Sequence, residues 1–365
     1  MIKREKGFSL VELLIVMLVL GVVLAASSET FISLLRIYKQ QSMISGSYIE
    51  GIIGLEMLRR DIQSAGYGLP WVIPAGTTYQ EAADDPDDYN DSPAFAPRAL
   101  LSGLDTGGTA HLVLKATNLG ISDVCAKYTN LLTSESTTVR TIWNRPIDNM
   151  DDDDRVIVLS PGVQGATNDT RKTLVGPTGA NLGPLLQLSG VSALRDSNET
   201  RIIYGVAPAD GANPLRMPFN RADYYVGVPA GSMPGRCAQG TGILYKAVLN
   251  HSDGELGEPL PLLDCVADFQ VVTHLTGNVT SNGLIVPASS TAAATIRNQL
   301  QEVHIFILTH EGQRDPSYTH PSNSILVGES ATRGRIIDLT TLGDPNWQNY
   351  RWKVYTLTAK AYNVR

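Results

Sequence analysis

No proline occurs before Pro70, although the chain of 365 residues contains 20 of them. Nothing in the first 69 residues therefore forbids an uninterrupted helix, which the pattern predicts from about Phe8 to Ala65. Cysteine is scarce, with 3 residues, too few for a repeated metal-binding signature. The 6 histidines have no zinc-ligand spacing, and His310-Glu311 lacks the second helical histidine of a metalloprotease motif. Gly-x-Ser-x-Gly, the nucleophile elbow of serine hydrolases, is missing too. Charged side chains make up 18 % of the chain and the net charge is -7, so no basic field gathers a nucleic-acid backbone. These absences point away from an enzyme and from direct nucleic-acid binding, and they lead us to expect no cofactor and no resident metal.

What is abundant lies at the N-terminus. Residues Met1 to Gly7 are short and basic, with Lys3, Arg4 and Lys6 against Glu5, and Phe8 to Ala26 is nearly continuously apolar. As a helix that run rises about 28 Å, close to the hydrocarbon thickness of a bilayer. A basic end retained in the cytoplasm places everything after Ser27 on the other side of the membrane. The small residues Ala25-Ala26-Ser27 would suit an ordinary secretory cleavage, but that reading ignores an acid inside the apolar run. An ionised carboxylate in hydrocarbon costs several kcal/mol unless a cation or polar cavity compensates it, so Glu12 is a functional candidate. A cut after Gly7 would give Phe8 a new amino group four residues before Glu12, able to pair with it in the same chain or in a packed neighbour. Glycine at the cut lets a protease approach the backbone closely.

The run Lys6-Gly7-Phe8-Ser9-Leu10-Val11-Glu12-Leu13-Leu14 resembles the class III signal of type IV prepilins and of type II secretion pseudopilins. The resemblance implies that a prepilin peptidase cuts between Gly7 and Phe8, that the amino group of Phe8 is methylated, and that Glu12 serves processing or assembly. It implies a cytoplasmic leader over residues 1–7, a transmembrane and assembly helix over 8–27, a periplasmic amphipathic helix over 28–69 and a β-rich head over 70–365.

The residues support that division. Beyond the membrane Phe31, Leu34, Leu35, Tyr38, Ile44, Tyr48, Ile52, Leu55, Leu58 and Ile62 recur at spacings of three and four, with Arg36, Lys39, Gln40, Glu50 and Arg59 beside or opposite them. The later half of this stripe is expected to pack on the head, the earlier half on other subunits. Gly46, Gly51 and Gly54 weaken the helix and mark a bend, a melted stretch or close packing; the sequence leaves these open. Gly66-Tyr67-Gly68-Leu69-Pro70 stops it. Strands are expected at His111–Lys115, Arg155–Leu159, Arg201–Val206, Gly242–Leu249, Phe269–His274, Val303–Thr309 and Tyr350–Ala359, with a short helix over Thr291–Leu300. The fold class is α+β: a long N-terminal helix, membrane-spanning in its first half, on an antiparallel sheet. Residues 130–240, rich in Gly, Pro and Asn, suggest an elaborated face or a second lobe.

Within the superfamily the chain looks most like the PilW-type minor pilins, through Leu58 to Tyr67, Leu263 to Val272, Ile296 to Thr309 and Tyr350 to Tyr362. That resemblance implies a minor pilin that initiates the fibre with other pilins and stays near its tip. The implied partners are the prepilin peptidase, other minor and major pilins, an inner-membrane assembly platform and an adhesin-like tip protein. The implied location is the bacterial inner membrane with the head in the periplasm, then the pilus at the cell surface. The alternatives are a J-type pseudopilin of a type II secretion system and a large major subunit. Export permits a disulfide: Cys237 with Cys265 would contribute roughly 3 to 4 kcal/mol in the loop-entropy model, with a bridge from Cys125 or none as alternatives. Two acid clusters, Asp84, Asp85, Asp87, Asp88 and Asp91, and Asp148 with Asp151 to Asp154, lack the EF-hand pattern and read as solvated loops, with calcium as the alternative.

Overall fold

The computed structural model describes residues 9–84, 88–133, 141–165, 169–176, 187–208, 215–281, 283–284 and 286–364. Gly7, Phe8, Asp85 and Asp87 lie outside them, as do the side chains of Arg36, Gln40, Tyr48 and Glu50. One helix, α1, runs from Leu10 to Ser64 over 55 residues, about 82 Å at 1.5 Å per residue. The strands that follow are β1 (Leu100–Leu104), β2 (Ala110–Ala116), β3 (Tyr128–Leu131), β4 (Arg155–Ser160), β5 (Thr173–Val175), β6 (Arg201–Ala207), β7 (Asn220–Gly227), β8 (Gly242–Val248), β9 (Leu260–Leu275) and β10 (Asn278–Ser281). After a short helix, α2 (Ala292–Gln299), come β11 (Leu300–Glu311), β12 (Ser324–Ser330), β13 (Arg333–Asp338) and β14 (Arg351–Ala359).

Eight of these strands form one antiparallel sheet in the order β1-β2-β7-β8-β9-β11-β14, with β10 paired to β9. Its centre is the long β9, whose alternation buries Val266, Phe269 and Val271 in the main core beside Ile305 and Ile307 of β11. The last quarter of α1 lies across this face, adding Leu58, Ile62 and Ala65. Four strands make a second sheet in the order β3-β6-β4-β5, with a small core of its own from Val124, Leu131, Val156, Val158 and Ile203. Part of the span 130–240 thus has a sheet of its own, while β7, in the same span, belongs to the main sheet. The hairpin β12-β13 covers the opposite face of the main sheet, where Val272, Leu308, Val327, Ile337 and Trp352 share a third cluster.

A buried ion network ties the segment after α1 to the sheet. Lys115 Nζ of β2 lies 2.7 Å from Glu81 Oε2 and 2.6 Å from Asp91 Oδ2, and Arg98 Nε lies 2.5 Å from Asp91 Oδ1, all four side chains being inaccessible to solvent. Arg98 also donates to the carbonyls of Asp88 and Asn90. On β7, Arg221 pairs with Asp223 at 2.8 Å and His111 reaches the same carboxylate at 3.0 Å. Burial pushes the Asp223 carboxyl up, but Arg221 and His111 outweigh it and hold it at about 2. The solvated-loop reading of the acid clusters therefore needs correction at two residues. Asp91 is sealed in this network and Asp154, 7 % exposed, accepts from the backbone N–H of Asp151. In both places a backbone or cationic partner replaces the water that an unpaired acid would require.

Candidate functional site: the N-terminal helix and its socket

Ser9 is the N-cap of α1, and its backbone N–H donates to Glu12 Oε2 at 3.0 Å. Glu12 thus satisfies one of the orphan donors at a helix start, where the helix dipole also favours negative charge. Between Leu10 and Tyr38 the helix stands clear of the other described residues. Leu10 to Leu24 and Phe31 to Tyr38 present large apolar side chains on every side, and an 18-residue window inside Leu10–Lys39 reaches a mean hydropathy of 2.7 with none of it covered by the head. A helix apolar all round and uncovered needs lipid or other helices about it, and its length and composition suffice to cross a membrane. Phe31, Leu34, Leu35 and Tyr38 of the expected stripe are exposed, so nothing within the described residues covers them.

The socket begins near Ile44, whose side chain lies against Gly312, and closes around Gly51 and Gly54. At Gly54 the helix comes so near to β9 that a Cβ would sit 2.0 Å from the carbonyl oxygen of Leu262; at Gly51 it would meet the Leu263 side chain at 3.1 Å. Of the three readings that the sequence left open for these glycines, close packing is the one seen at Gly51 and Gly54, whereas Gly46 faces open space. One turn past Met57, Asp61 fixes the rotation of the helix: Lys246 Nζ of β8 lies 2.6 Å from its Oδ2, and the Tyr224 hydroxyl of β7 donates to the same oxygen. Burial and the Asp61 charge drive the Tyr224 hydroxyl well above the ordinary tyrosine range, so it stays protonated as the donor. Gly66, at φ +85°, ends the helix in the left-handed conformation that glycine tolerates, and its N–H bonds the Lys115 carbonyl at 3.0 Å. The far end of the chain packs on the same spot, with Tyr362 N–H on the Gln63 carbonyl at 3.1 Å.

Cys237 and Cys265 form a disulfide with Cα atoms 4.9 Å apart, fastening the segment before β8 to β9 just behind the socket. Cys125 is a buried free thiol, pushed up to about 11 by burial, with Asn220 and the Val206 carbonyl as its polar neighbours. Sequence reasoning missed Asp61, Lys246 and Tyr224 as a unit, and it missed His274, His304 and Glu329, which three different strands bring within 4.8 Å of one another. The histidines could have been paired only by knowing the β9-β11 register.

Residues 2–28 match the family model described as the prokaryotic N-terminal methylation motif. No curated protein matches the chain. Among solved structures, a type IV-like pilin from Thermus thermophilus aligns at 11 % identity over 87 % of this chain and 98 % of that one, with a TM-score of 0.34. The chain thus joins a prokaryotic N-terminal methylation motif, the feature that its sequence shares with type IV prepilins, to an apolar helix that leads into an antiparallel-sheet head.

Proposed function

We propose that the chain is a minor pilin, cut between Gly7 and Phe8, methylated on Phe8, and built into a type IV pilus near its tip. The observation that carries the reading is a helix apolar on all sides, headed by the methylation motif and leaving the head bare from Leu10 to Tyr38. Such a surface is stable only in a bilayer or in a bundle of like helices. Glu12 serves as the charge partner of the Phe8 amine of a neighbouring subunit, so that neutralisation rewards correct register. Before assembly the helix spans the inner membrane with the head in the periplasm; afterwards the head faces outward from the fibre. Its partners are the prepilin peptidase, other minor and major pilins and the membrane platform, with an adhesin-like protein carried at the tip. The role is structural, not enzymatic. Minor stoichiometry is supported by the bulk of the head and by the likeness to PilW-type segments.

Mass spectrometry of sheared filaments and of membranes tests this, with the mature N-terminal peptide quantified. Methylated Phe8 at low abundance beside a smaller dominant pilin is the expected result. A chain that keeps Met1 and stays in the membrane during active assembly would overturn the reading, and a processed but dominant chain would replace the minor assignment with a major one.

A further inference from the structure

The two inner strands of the main sheet place His274 and His304 diagonally across the β9-β11 ladder: His274 is registered with Glu302 and His304 with Val272. Diagonal neighbours on one sheet face are within reach of long side chains, and the two imidazoles stack at 4.3 Å between centroids. Glu329 reaches them from β12. It is the residue skipped in pairing between Gly328 and Ser330, and this bulge redirects its side chain. Its Oε1 lies 2.6 Å from His274 Nε2 and 2.7 Å from His304 Nδ1. The other ring nitrogen of His304 has Glu302 Oε2 at 3.4 Å.

We propose that His274 Nε2, His304 Nδ1 and Glu329 hold a divalent transition-metal ion of the zinc class, with a water as fourth ligand. Two imidazoles and a carboxylate are a donor set for zinc and its neighbours, whereas calcium and magnesium demand oxygen throughout. Ligand atoms about 2.1 Å from a tetrahedral ion stand about 3.4 Å apart, so Glu329 must draw back by about 0.7 Å from its present contacts, a small rotation for a side chain at a strand bulge. With the metal on Nδ1, the Nε2–H of His304 is left to donate to Glu302, the outer carboxylate that commonly orients a ligating histidine. All three ligand side chains are between 19 % and 25 % exposed, open enough for an ion to enter and a water to remain. Arg333, 3.5 Å from Glu329 Oε2, occupies the oxygen that the metal does not need. Bound there, the ion staples the β12-β13 hairpin to the main sheet.

The full chain, untagged and in detergent, is stripped with a chelator and titrated with cobalt(II) at pH 7.5, followed by competition with zinc. The expected result is visible ligand-field absorption of a tetrahedral site saturating at one ion per chain and abolished by zinc. His274→Ala and His304→Ala abolish that absorption, Glu302→Gln weakens binding by about 10-fold to 100-fold, and His320→Ala, in an exposed loop, leaves it unchanged. His304→Gln, which keeps a polar group beside Glu329, guards against loss through misfolding. Zinc also slows hydrogen exchange across residues 324–338 in the parent chain and not in the His304→Gln variant. No absorption, or absorption that persists in the histidine variants, overturns the proposal and leaves the three side chains as a hydrogen-bonded cluster.

Discussion

Alanine at Gly54 should destabilise the docking of α1, while the same substitution at Gly46, two turns earlier in the same helix, should not. Both replacements gain helix propensity, worth up to about 1 kcal/mol. They differ in what the new methyl meets. At Gly46 there is nothing within 4 Å; at Gly54 the methyl would sit 2.0 Å from the Leu262 carbonyl oxygen and 2.8 Å from its carbon. Real contacts of this kind do not fall below 3.0 Å, so helix and strand must part by about 1 Å. Both are held by packed neighbours, Leu58 and Ile62 among them, and a close-packed interior does not yield for free. Overpacking costs about 1 to 3 kcal/mol, which less a propensity gain of about 1 kcal/mol leaves a net loss of up to roughly 2 kcal/mol for Gly54→Ala, and a gap of about 1 to 3 kcal/mol between the two variants. Gly46→Ala should gain a few tenths to about 1 kcal/mol. Urea unfolding of the full chain in mild detergent, followed by tryptophan fluorescence, gives both values under one baseline. If Gly54→Ala proves as stable as Gly46→Ala, the close approach of helix and strand is not what holds the socket.

Other expectations follow from the same contacts. Lys115→Met leaves Glu81 and Asp91 buried without their shared cation and should cost about 3 to 5 kcal/mol, whereas Arg59→Ala, on an exposed pair with Glu56, should cost less than about 1; chemical denaturation separates them. Replacing both Cys237 and Cys265 by serine should cost about 2 to 5 kcal/mol, read as a shift in the urea midpoint. Acid should loosen the same region. His310 accepts the Ala238 N–H at 3.0 Å and burial lowers its imidazole to about 4. The unfolded chain takes up that proton first, so stability is lost as pH falls from about 6.5 to about 4, by up to about 3 kcal/mol. His310→Gln should flatten stability against pH over that window and leave the further loss between about 4 and 2, where the unfolded chain protonates the Asp223 carboxyl before the folded chain does.

How much of this was legible follows from where the polar groups sit. The helix and seven strands announce themselves by runs of apolar residues, and α2 by its place before β11. β7 was not foreseen because Asn220, Arg221 and Asp223 are all buried in it, partnered by residues of distant segments, so its sequence carries the polarity of a loop. β12 and β13 were missed for a different reason: the hairpin lies on the sheet as a cover, buries little beyond Val327 and Ile337, and alternates weakly. The helical stripe was read correctly as a direction and less well as a surface, since Ile52 remains exposed while two glycines make the contact. Asp91 misled because a local acid cluster says nothing of a lysine 24 positions away on β2.

The chain's last residues rest on its first element. Asn363 Nδ2 donates to the Gln63 carbonyl across 300 positions, and Ala361 and Val364 share a core with Leu58 and Ile62. The helix precedes in sequence every strand that holds it, so its socket is finished only when β9, β11, β14 and the terminal turn have all arrived. Contacts that span so much chain form late, after the loop they close has been ordered. Until then the inner face of the second half of α1 stands open, and completion of the final strand is the event that sets the orientation between helix and head.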